Sequence, residues 1–179
     1  MLNAAEQSDF SYPEIGQSLH MEAIASDYNV DRYQCVLGQG KQVFEQAKAA
    51  LQQWIHFDLG WVSIEAPNPI EGLTVPVCVR VCGIWTLHFC CVVYVHEDVG
   101  QIQRWCFAYG TLQQHAEKGE ERFTIEHNQQ TEEVTYEIAA FSRPNHLLSK
   151  LGYPFTRMLQ KRFGKASMQR MQRSIELHK

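Results

Sequence analysis

Glu121 and His115 are the residues whose types and spacing in this sequence best suit proton transfer. Glu121 alternates in phase with Phe123 and Ile125, so its carboxylate is predicted to face the same apolar interior. A carboxylate in such an interior must be paired or protonated, and desolvation raises its pKa. His115 lies six residues earlier in a loop, and an imidazole–carboxylate pair at a sheet edge suits general acid–base catalysis.

Both residues also have a structural interpretation. Glu121 is then a strand-start residue at the rim of the sheet, partly wet and ion-paired with Arg122 or Arg143. His115 is then a loop residue whose imidazole is hydrogen-bonded to the backbone. The sequence leaves both interpretations open, and it contains no G-x-S-x-G motif or cysteine signature that would indicate a catalytic nucleophile.

A metal site has little support in the sequence. His88, Cys90 and His96 share one predicted strand face, and Cys78 and Cys82 share a face on the neighbouring strand. Residues two apart on a strand lie ~6.6 Å apart, which permits joint ligation without specifying it. We predict no metal and no cofactor. The first residues lack a secretory pattern, so we expect a cytoplasmic protein whose six cysteines are thiols.

Positive charge is concentrated at the C-terminal end of the chain. Residues 143–179 hold nine Lys or Arg and a single acid, Glu176, so the rest of the chain is strongly acidic. A basic helix lying across an acidic body is one interpretation. The alternative is peripheral contact with an anionic membrane or an acidic protein through four residues: Arg157, Lys161, Arg162 and Lys165. We expect no nucleic-acid partner, since aromatic side chains are not interleaved with this basic face.

The composition indicates one folded domain over residues 1–179. Hydrophobic residues make up 45% of the chain and aromatic residues 11%, which excludes an intrinsically disordered protein. The longest apolar run, residues 82–95, is shorter than the ~20 residues that a transmembrane helix needs.

Period-two alternation predicts five consecutive strands in the middle of the chain. They cover residues 73–83, 85–96, 102–112, 120–127 and 133–142. The inward-facing set includes Val77 in the first strand and both Trp85 and Phe89 in the second. The five strands are expected to form an antiparallel meander with one apolar face, preceded by short strands over 31–37 and 61–66.

Two segments have the period of an amphipathic helix. Residues 41–57 place apolar side chains at steps of three and four. Residues 144–177 do the same, with a kink expected near Pro154. The domain is therefore predicted to consist of a partly flexible leader (1–28), a sheet with one inserted helix (29–142) and the C-terminal helix.

The apolar sheet face needs a cover, and the C-terminal helix is the available one. The expected fold is α+β, with a curved antiparallel sheet of about six to seven strands around that helix. This arrangement resembles the helix-grip fold of the START-like and birch-pollen-allergen superfamily, and the resemblance implies an apolar cavity between sheet and helix. Six aromatic side chains are predicted to line it: Trp85, Phe89, Trp105, Phe107, Tyr109 and Tyr136. Glu121, His115 and Arg143 are expected to orient the polar head of a ligand at its mouth.

Four stretches carry a closer resemblance. They are LGQG at residues 37–40 with the following helix, YGTLQQH at 109–115, GEERF at 119–123 and FSRP at 141–144. Together they resemble an uncharacterised family, the domain of unknown function number 1990 (DUF1990), also called uncharacterised protein family 0548 (UPF0548). The resemblance extends from Tyr12 to about Gln160, and it implies a fold without an established reaction.

The predicted function is binding of a hydrophobic or amphipathic small molecule, such as a lipid or isoprenoid, in this cavity. Two alternatives stay open. One is an enzyme that uses Glu121 and His115 for acid–base chemistry on such a molecule. The other is an interaction module that docks through the basic C-terminal helix.

Overall fold

A seven-stranded antiparallel sheet organises the structure. The computed structural model describes residues 9–113, 115, 117–145 and 153–176. The strands are β1 (Asn29–Gln39), β2 (Val62–Ile64), β3 (Thr74–Val81), β4 (Ile84–Asp98), β5 (Ile102–Thr111), β6 (Glu117–Asn128) and β7 (Glu133–Pro144). Their order in the sheet is β1-β7-β6-β5-β4-β3-β2. The predicted meander of five strands is therefore confirmed as β3 to β7, and β1 adds to its far edge by pairing with β7.

Two α-helices lie on the concave face of the curled sheet. Helix α1 (Lys41–Gln52) connects β1 to β2, and helix α2 (Tyr153–Glu176) follows β7. Short 3-10 helices occupy Gln17–Leu19, Met21–Ala23 and Ile55–Phe57. A curled antiparallel sheet gripping a C-terminal helix confirms the predicted α+β helix-grip architecture.

The C-terminal half of α2 closes tightly against the sheet. Its buried residues include Ser167, Met171 and Ile175, and the Ser167 hydroxyl lies 2.9 Å from that of Tyr136 on β7. The buried apolar side chains between the two layers include Phe44, Leu51, Phe57, Phe107, Phe123, Ile125 and Ile138. This half of the interface is therefore filled by the protein itself.

The N-terminal segment covers the convex face of the sheet. Glu120 accepts hydrogen bonds from the Tyr12 hydroxyl and the Gly16 N–H, both at 2.8 Å, and from the Ser18 N–H at 3.0 Å. Gly110 permits this approach, because a Cβ there would lie 1.9 Å from the Tyr12 hydroxyl oxygen. One carboxylate on β6 therefore accepts three of the hydrogen bonds that hold this segment on the sheet.

The two ends of the chain differ in part from the predicted division. Residues 9–28 belong to the predicted flexible leader, yet they contain buried side chains such as Tyr12 and Tyr28. Residues 1–8 of that leader lie outside the described residues, as do residues 146–152, where the C-terminal helix was predicted to begin.

Helix α1 is shorter than the sequence predicted. It ends at Gln52 rather than at residue 57, because Trp54 adopts a left-handed backbone conformation with φ of 59°. The chain then continues as the 3-10 turn Ile55–Phe57, which directs Phe57 into the core.

Up to Val92, strand β4 presents the opposite face from the one predicted; a bulge between Val92 and Tyr94 then returns Val95, which pairs with Phe107, to the predicted face. Cys90 and Val92 are each 1% exposed in the core, whereas Trp85 is 52% exposed. The pairing of β3 with β4 sets this phase, because buried Val75 lies directly opposite Cys90. Phe89 therefore shares the outer face with Trp85. Alternation could not fix the phase, since β4 carries apolar side chains on both of its faces.

Close packing of α2 on β1 gives the first prediction. A Cβ at Gly164 would lie 2.7 Å from the Tyr33 ring, so Gly164→Ala must displace the ring or the helix. We expect a net loss of about 1–2 kcal/mol in the free energy of unfolding, because overpacking outweighs the higher helix propensity of alanine. Urea denaturation measures it, with exposed Gln169→Ala as the control in the same helix. Equal or greater stability of Gly164→Ala would show that the contact is not tight.

Candidate functional site

A cavity of about 220 Å³ separates the N-terminal half of α2 from the sheet. Its apolar lining comes from the 3-10 turn, β2, β3 and α2: Phe57, Trp61, Val62, Val77, Val79, Leu159 and Phe163. The volume exceeds the ~150 Å³ cavity that admits benzene and falls below the ~300 Å³ of the smallest drug-sized sites. The space therefore suits a molecule of one or two rings, or a short chain.

One wall of the cavity is polar, and β6 supplies most of it. Glu117, Gly119 and Glu121 fall on the same strand face and all line the cavity. Gly119 has a positive φ of 150°, and a Cβ there would lie 1.9 Å from the backbone oxygen of Phe141. The glycine thus lets β6 lie close to β7 while leaving no side chain between the two glutamates.

Glu121 faces the cavity beside a tyrosine. Its carboxylate accepts a hydrogen bond of 2.7 Å from the Tyr109 hydroxyl. Burial raises the pKa of Glu121 to about 7; the negative charge of Asp31 adds to this rise, and the Tyr109 hydrogen bond opposes it. Glu121 can therefore gain or lose a proton near neutral pH.

Glu117 lies at the start of β6, and its two carboxylate oxygens differ in their hydrogen bonding. Its Oε2 accepts a hydrogen bond of 2.7 Å from Gln160 Nε2 on α2. Its Oε1 is buried and has no hydrogen-bond partner among the described residues. The pKa of Glu117 is raised by burial, and the hydrogen bonds from Ser142 and Gln160 oppose that rise. Oε1 is enclosed by protein atoms and is not presented to the cavity.

His115 is a neutral member of the wall. Its Nδ1 accepts a hydrogen bond of 3.0 Å from the Glu117 N–H, so the neutral ring carries its proton on Nε2. The His88 ring lies 5.0 Å away, centroid to centroid. Burial and, to a lesser extent, the neighbouring His88 together lower the pKa of His115 to about 4. His115 is thus a hydrogen-bond donor rather than a cation at neutral pH.

Helix α2 is joined to the polar wall by Arg157 and Gln160. Arg157 forms a two-pronged ion pair with Asp31 on β1, in which its Nη2 lies 2.7 Å from Oδ1. Arg157 also donates to Gln160 Oε1 at 2.6 Å, which leaves the Gln160 amide nitrogen to donate to Glu117. The helix is therefore anchored to both edges of the wall by charge-assisted hydrogen bonds.

The predicted partners of Glu121 are engaged elsewhere. His115 and Glu121 both line the cavity, but within the part of the chain that the structure describes they form no hydrogen bond with each other. Arg122 points to the convex face, where it pairs with Glu137 at 2.8 Å. Arg143 pairs with Asp27. The ion pairs predicted for Glu121 are therefore wrong, because alternation turns Arg122 away from the cavity.

The predicted ligand-binding residues divide into three groups. Tyr109 and Glu121 lie on the cavity wall, and their role in binding stays a prediction. Trp105, Phe107 and Tyr136 are buried in the core that the protein fills itself. Trp85, Phe89 and Arg143 lie on the outer side of the sheet. The observed phase of β4 places Trp85 and Phe89 there. Arg143 follows directly after Ser142, which lines the cavity, so its side chain points to the opposite face.

Several polar residues of the wall were missed from the sequence, among them Glu117, Asp31 and Gln160. Glu117 lies four residues before Glu121 on the same strand face, a signal that was lost because the strand was predicted to begin at residue 120. Asp31 and Gln160 reach the wall only through the pairing of β1 with β7 and the seat of α2, which alternation within one segment does not reveal.

The basic face of α2 is only partly available to a partner. Arg157 is bound to Asp31, and the Arg162 guanidinium lies 4.3 Å from the centre of the Trp61 ring. Lys161 and Lys165 are exposed. Contact with a membrane or an acidic protein stays a prediction for this face.

The structure also bears on metals, thiols and membrane spans. All six cysteines are free. Within residues 9–113, 115, 117–145 and 153–176, no three His, Cys, Asp or Glu side chains are grouped closely enough to bind a metal ion. No helix in the same ranges has the length and apolarity to cross a bilayer.

Comparison with known proteins identifies similar sequences and folds. The model of a family described as a domain of unknown function, DUF1990, matches residues 11–170. A UPF0548 protein from Dictyostelium discoideum is 35% identical over 97% of this chain and 89% of that protein. These matches confirm the resemblance carried by the four sequence stretches.

Solved structures share the fold at low identity. A hypothetical protein from Helicobacter pylori aligns with a TM-score of 0.53 and 11% identity, over 92% of this chain and 95% of that one. A norcoclaurine synthase point mutant from Thalictrum flavum, in complex with a transition state analogue, aligns with a TM-score of 0.50 and 11% identity. That alignment covers 87% of this chain and 98% of the synthase.

The raised pKa of Glu121 makes stability depend on pH. Between pH ~4.5 and 7 the folded state holds more protons than the unfolded state, so the free energy of unfolding falls as pH rises. Glu121→Gln removes this loss. We therefore expect the variant to gain about 2–3 kcal/mol relative to wild type between pH 5 and pH 8.

Denaturant unfolding at several pH values measures the difference between the two proteins. The exposed residue Glu133 on β7 supplies the control, Glu133→Gln. A difference between Glu121→Gln and wild type that does not change with pH would show that Glu121 titrates like an exposed carboxyl.

Proposed function

The chain belongs to the DUF1990 family, and we propose that it binds a small amphipathic molecule in the cavity between the sheet and α2. The observation that carries this proposal is the cavity itself, which combines an apolar floor with a wall of buried and half-buried ionisable side chains. Such a combination is typical of small-molecule sites, where apolar contacts provide affinity and a few polar groups set orientation. The norcoclaurine synthase mutant of similar fold supports it, as that protein is described with a transition state analogue bound.

The size of the cavity narrows the ligand class. At about 220 Å³ the space is too small for a whole membrane lipid, whose chains alone span half of a ~30 Å hydrocarbon core. We therefore favour a compact ligand with one or two rings, or a short aliphatic chain, over the broader range of lipids and isoprenoids.

Acid–base catalysis on such a ligand is the second candidate. The pKa of Glu121, raised to about 7 by burial, suits proton transfer at neutral pH. His115 is not its hydrogen-bonded partner, so the chemistry would rest on Glu121 with Tyr109. An enzyme would retain ligand binding in Glu121→Gln and lose turnover, whereas a binding protein would change only in affinity.

Native mass spectrometry beside denaturing mass spectrometry with organic extraction tests the proposal. We expect a small non-covalent adduct, either co-purified or formed after incubation with a mixture of compact amphipathic molecules. A mass equal to that of the bare chain under both conditions would contradict ligand binding and direct attention to the basic face of α2.

Filling the cavity provides a residue-level prediction. Val79 lines the cavity, so Val79→Phe places a ring in the space that a ligand would occupy. We expect the affinity for the probe naphthylmethanol to fall about tenfold or more, because overlap with the ring forces the probe out. Isothermal titration calorimetry measures it, and Val95→Phe, at an exposed position on β4, is the matched control. Equal loss in both variants, or in neither, would place the probe elsewhere.

A further inference from the structure

We propose that one end of the protein binds the surface of an anionic lipid bilayer. This surface, the docking end, consists of residues 80–87 of the β3–β4 hairpin and the outer face of residues 154–165 of α2. It combines exposed apolar side chains with exposed cations. Bilayer binding at the docking end does not require a ligand in the cavity.

The hairpin and the start of α2 lie at the same end of the molecule. Val79 on β3 and Phe163 on α2 both line the cavity, so the hairpin and the helix face each other across it. The pairing of β4 with β5 begins at Cys90, opposite Thr111, whereas its pairing with β3 continues to Ile84. Because neighbouring strands are antiparallel, the hairpin projects past the end of the sheet at which β7 ends and α2 follows.

The tip of the hairpin is narrow and apolar. Cys82 and Gly83 have positive φ values of 49° and 85°, as a tight two-residue hairpin turn requires. Ile84 and Trp85 come directly after this turn and are 69% and 52% exposed, and Leu87 is 48% exposed. Tryptophan is enriched at the interface between bilayer and water, since its ring is apolar and its N–H is polar.

The start of α2 adds to the same apolar surface. Phe155 is 43% exposed and Met158 is 53% exposed. Five large apolar side chains are thus exposed on two neighbouring projections at one end of the protein. A concentration of this kind marks an interaction site, whereas apolar side chains that are exposed singly need no explanation.

Positive charge adjoins the apolar side chains. Residues 154–175 contain six Lys or Arg and no Asp or Glu. Lys161 and Lys165 lie three and seven residues after Met158, so they share its face of the helix, and both are exposed. An apolar tip followed by cations matches the layers of an anionic bilayer, in which charged head groups cover the acyl chains.

The hairpin shows the same sign of charge. Between Glu71 and Glu97, Arg80 is the only Lys, Arg, Asp or Glu in the sequence. Arg80 is exposed and pairs across the hairpin with Trp85. Neither projection therefore presents a carboxylate that would repel an anionic surface.

A bilayer fits the docking end better than an acidic protein does. A fluid bilayer accepts side chains from two separate projections, whereas a protein partner must match the shape of both. An amphipathic ligand also concentrates in bilayers, so a bilayer here would supply it beside the cavity. This second reason rests on the proposed function, and the first does not.

Vesicle co-sedimentation of the full chain tests the proposal. The probes are vesicles of phosphatidylcholine and vesicles of phosphatidylcholine mixed with phosphatidylglycerol. We expect the protein to bind the anionic vesicles about tenfold or more tightly, and added salt to weaken this binding. Equal binding to both vesicles, or binding to neither, overturns the proposal. Binding to poly-glutamate without binding to vesicles overturns it in favour of an acidic protein.

Two substitutions with matched controls locate the contact. We expect Trp85→Ser to lower the affinity for anionic vesicles about tenfold, because the exposed indole no longer enters the interface. Val99→Ser is its control, at an 83% exposed position beyond the other end of β4. We expect a loss of about tenfold in Lys161→Glu as well, whereas Lys41→Glu, with the same charge change on exposed α1, should change little.

The outcomes separate this proposal from ligand binding in the cavity. Unchanged vesicle binding of folded Trp85→Ser or Lys161→Glu, or an equal loss in the matched control, overturns the docking end. Circular dichroism establishes that each variant is folded, and all four substitutions are at exposed positions. Calorimetry with naphthylmethanol reports on the cavity independently, so either proposal can fail without the other.

Discussion

The alternation of side chains along β6 is the constraint on which the rest of the structure depends. Glu120 and Glu121 are neighbours in sequence and face opposite sides of the sheet. Glu120 holds the N-terminal segment on the convex face through three hydrogen bonds, and Glu121 faces the cavity. A slip of one residue in the register of β6 would exchange these roles. The N-terminal segment would then lose the carboxylate that it binds on the convex face, and the cavity would lose its ionisable group. The register of β6 therefore determines the side chains on both faces of the sheet.

The cavity exists because α2 closes on the sheet along only half of its length. Toward its C-terminus the helix packs through Met171 and Ile175, with Ser167 against Tyr136. Toward its N-terminus it is joined to the wall through polar side chains, Arg157 to Asp31 and Gln160 to Glu117. Polar anchors of this kind fix the helix without filling the space beneath it. Carboxyl groups therefore occupy positions that apolar core residues could have filled. Stability alone does not favour this arrangement, because desolvating a carboxyl group costs free energy.

The sequence predicted the architecture well because the relevant signals are local. Alternation in β5, β6 and β7 and the apolar stripe of α2 were enough to identify the meander and its helix. Strand β4 could not be oriented in this way, since both of its faces are apolar and its phase is set by the neighbouring strand. The residues of the candidate site were likewise predictable only where the signal was local. Glu121 was found from alternation, whereas Asp31 enters the wall through the pairing of strands more than a hundred residues apart in sequence.

For two residues, the sequence contained a signal that would have given the correct position relative to the cavity. Arg143 falls on the opposite phase from the inward-facing Ala140, so the alternation of β7 already excluded it from the cavity. Glu117 shares the phase of Glu121, and extending β6 by three residues would have revealed it.

A crystal structure of the protein soaked with naphthylmethanol tests the central claim most directly. The account predicts the ring between Val79 and Phe163, with the ligand hydroxyl directed toward the polar wall that Glu121 and Gly119 line. The claim would be contradicted by a ligand bound outside this space, or by a cavity closed by the protein's own side chains.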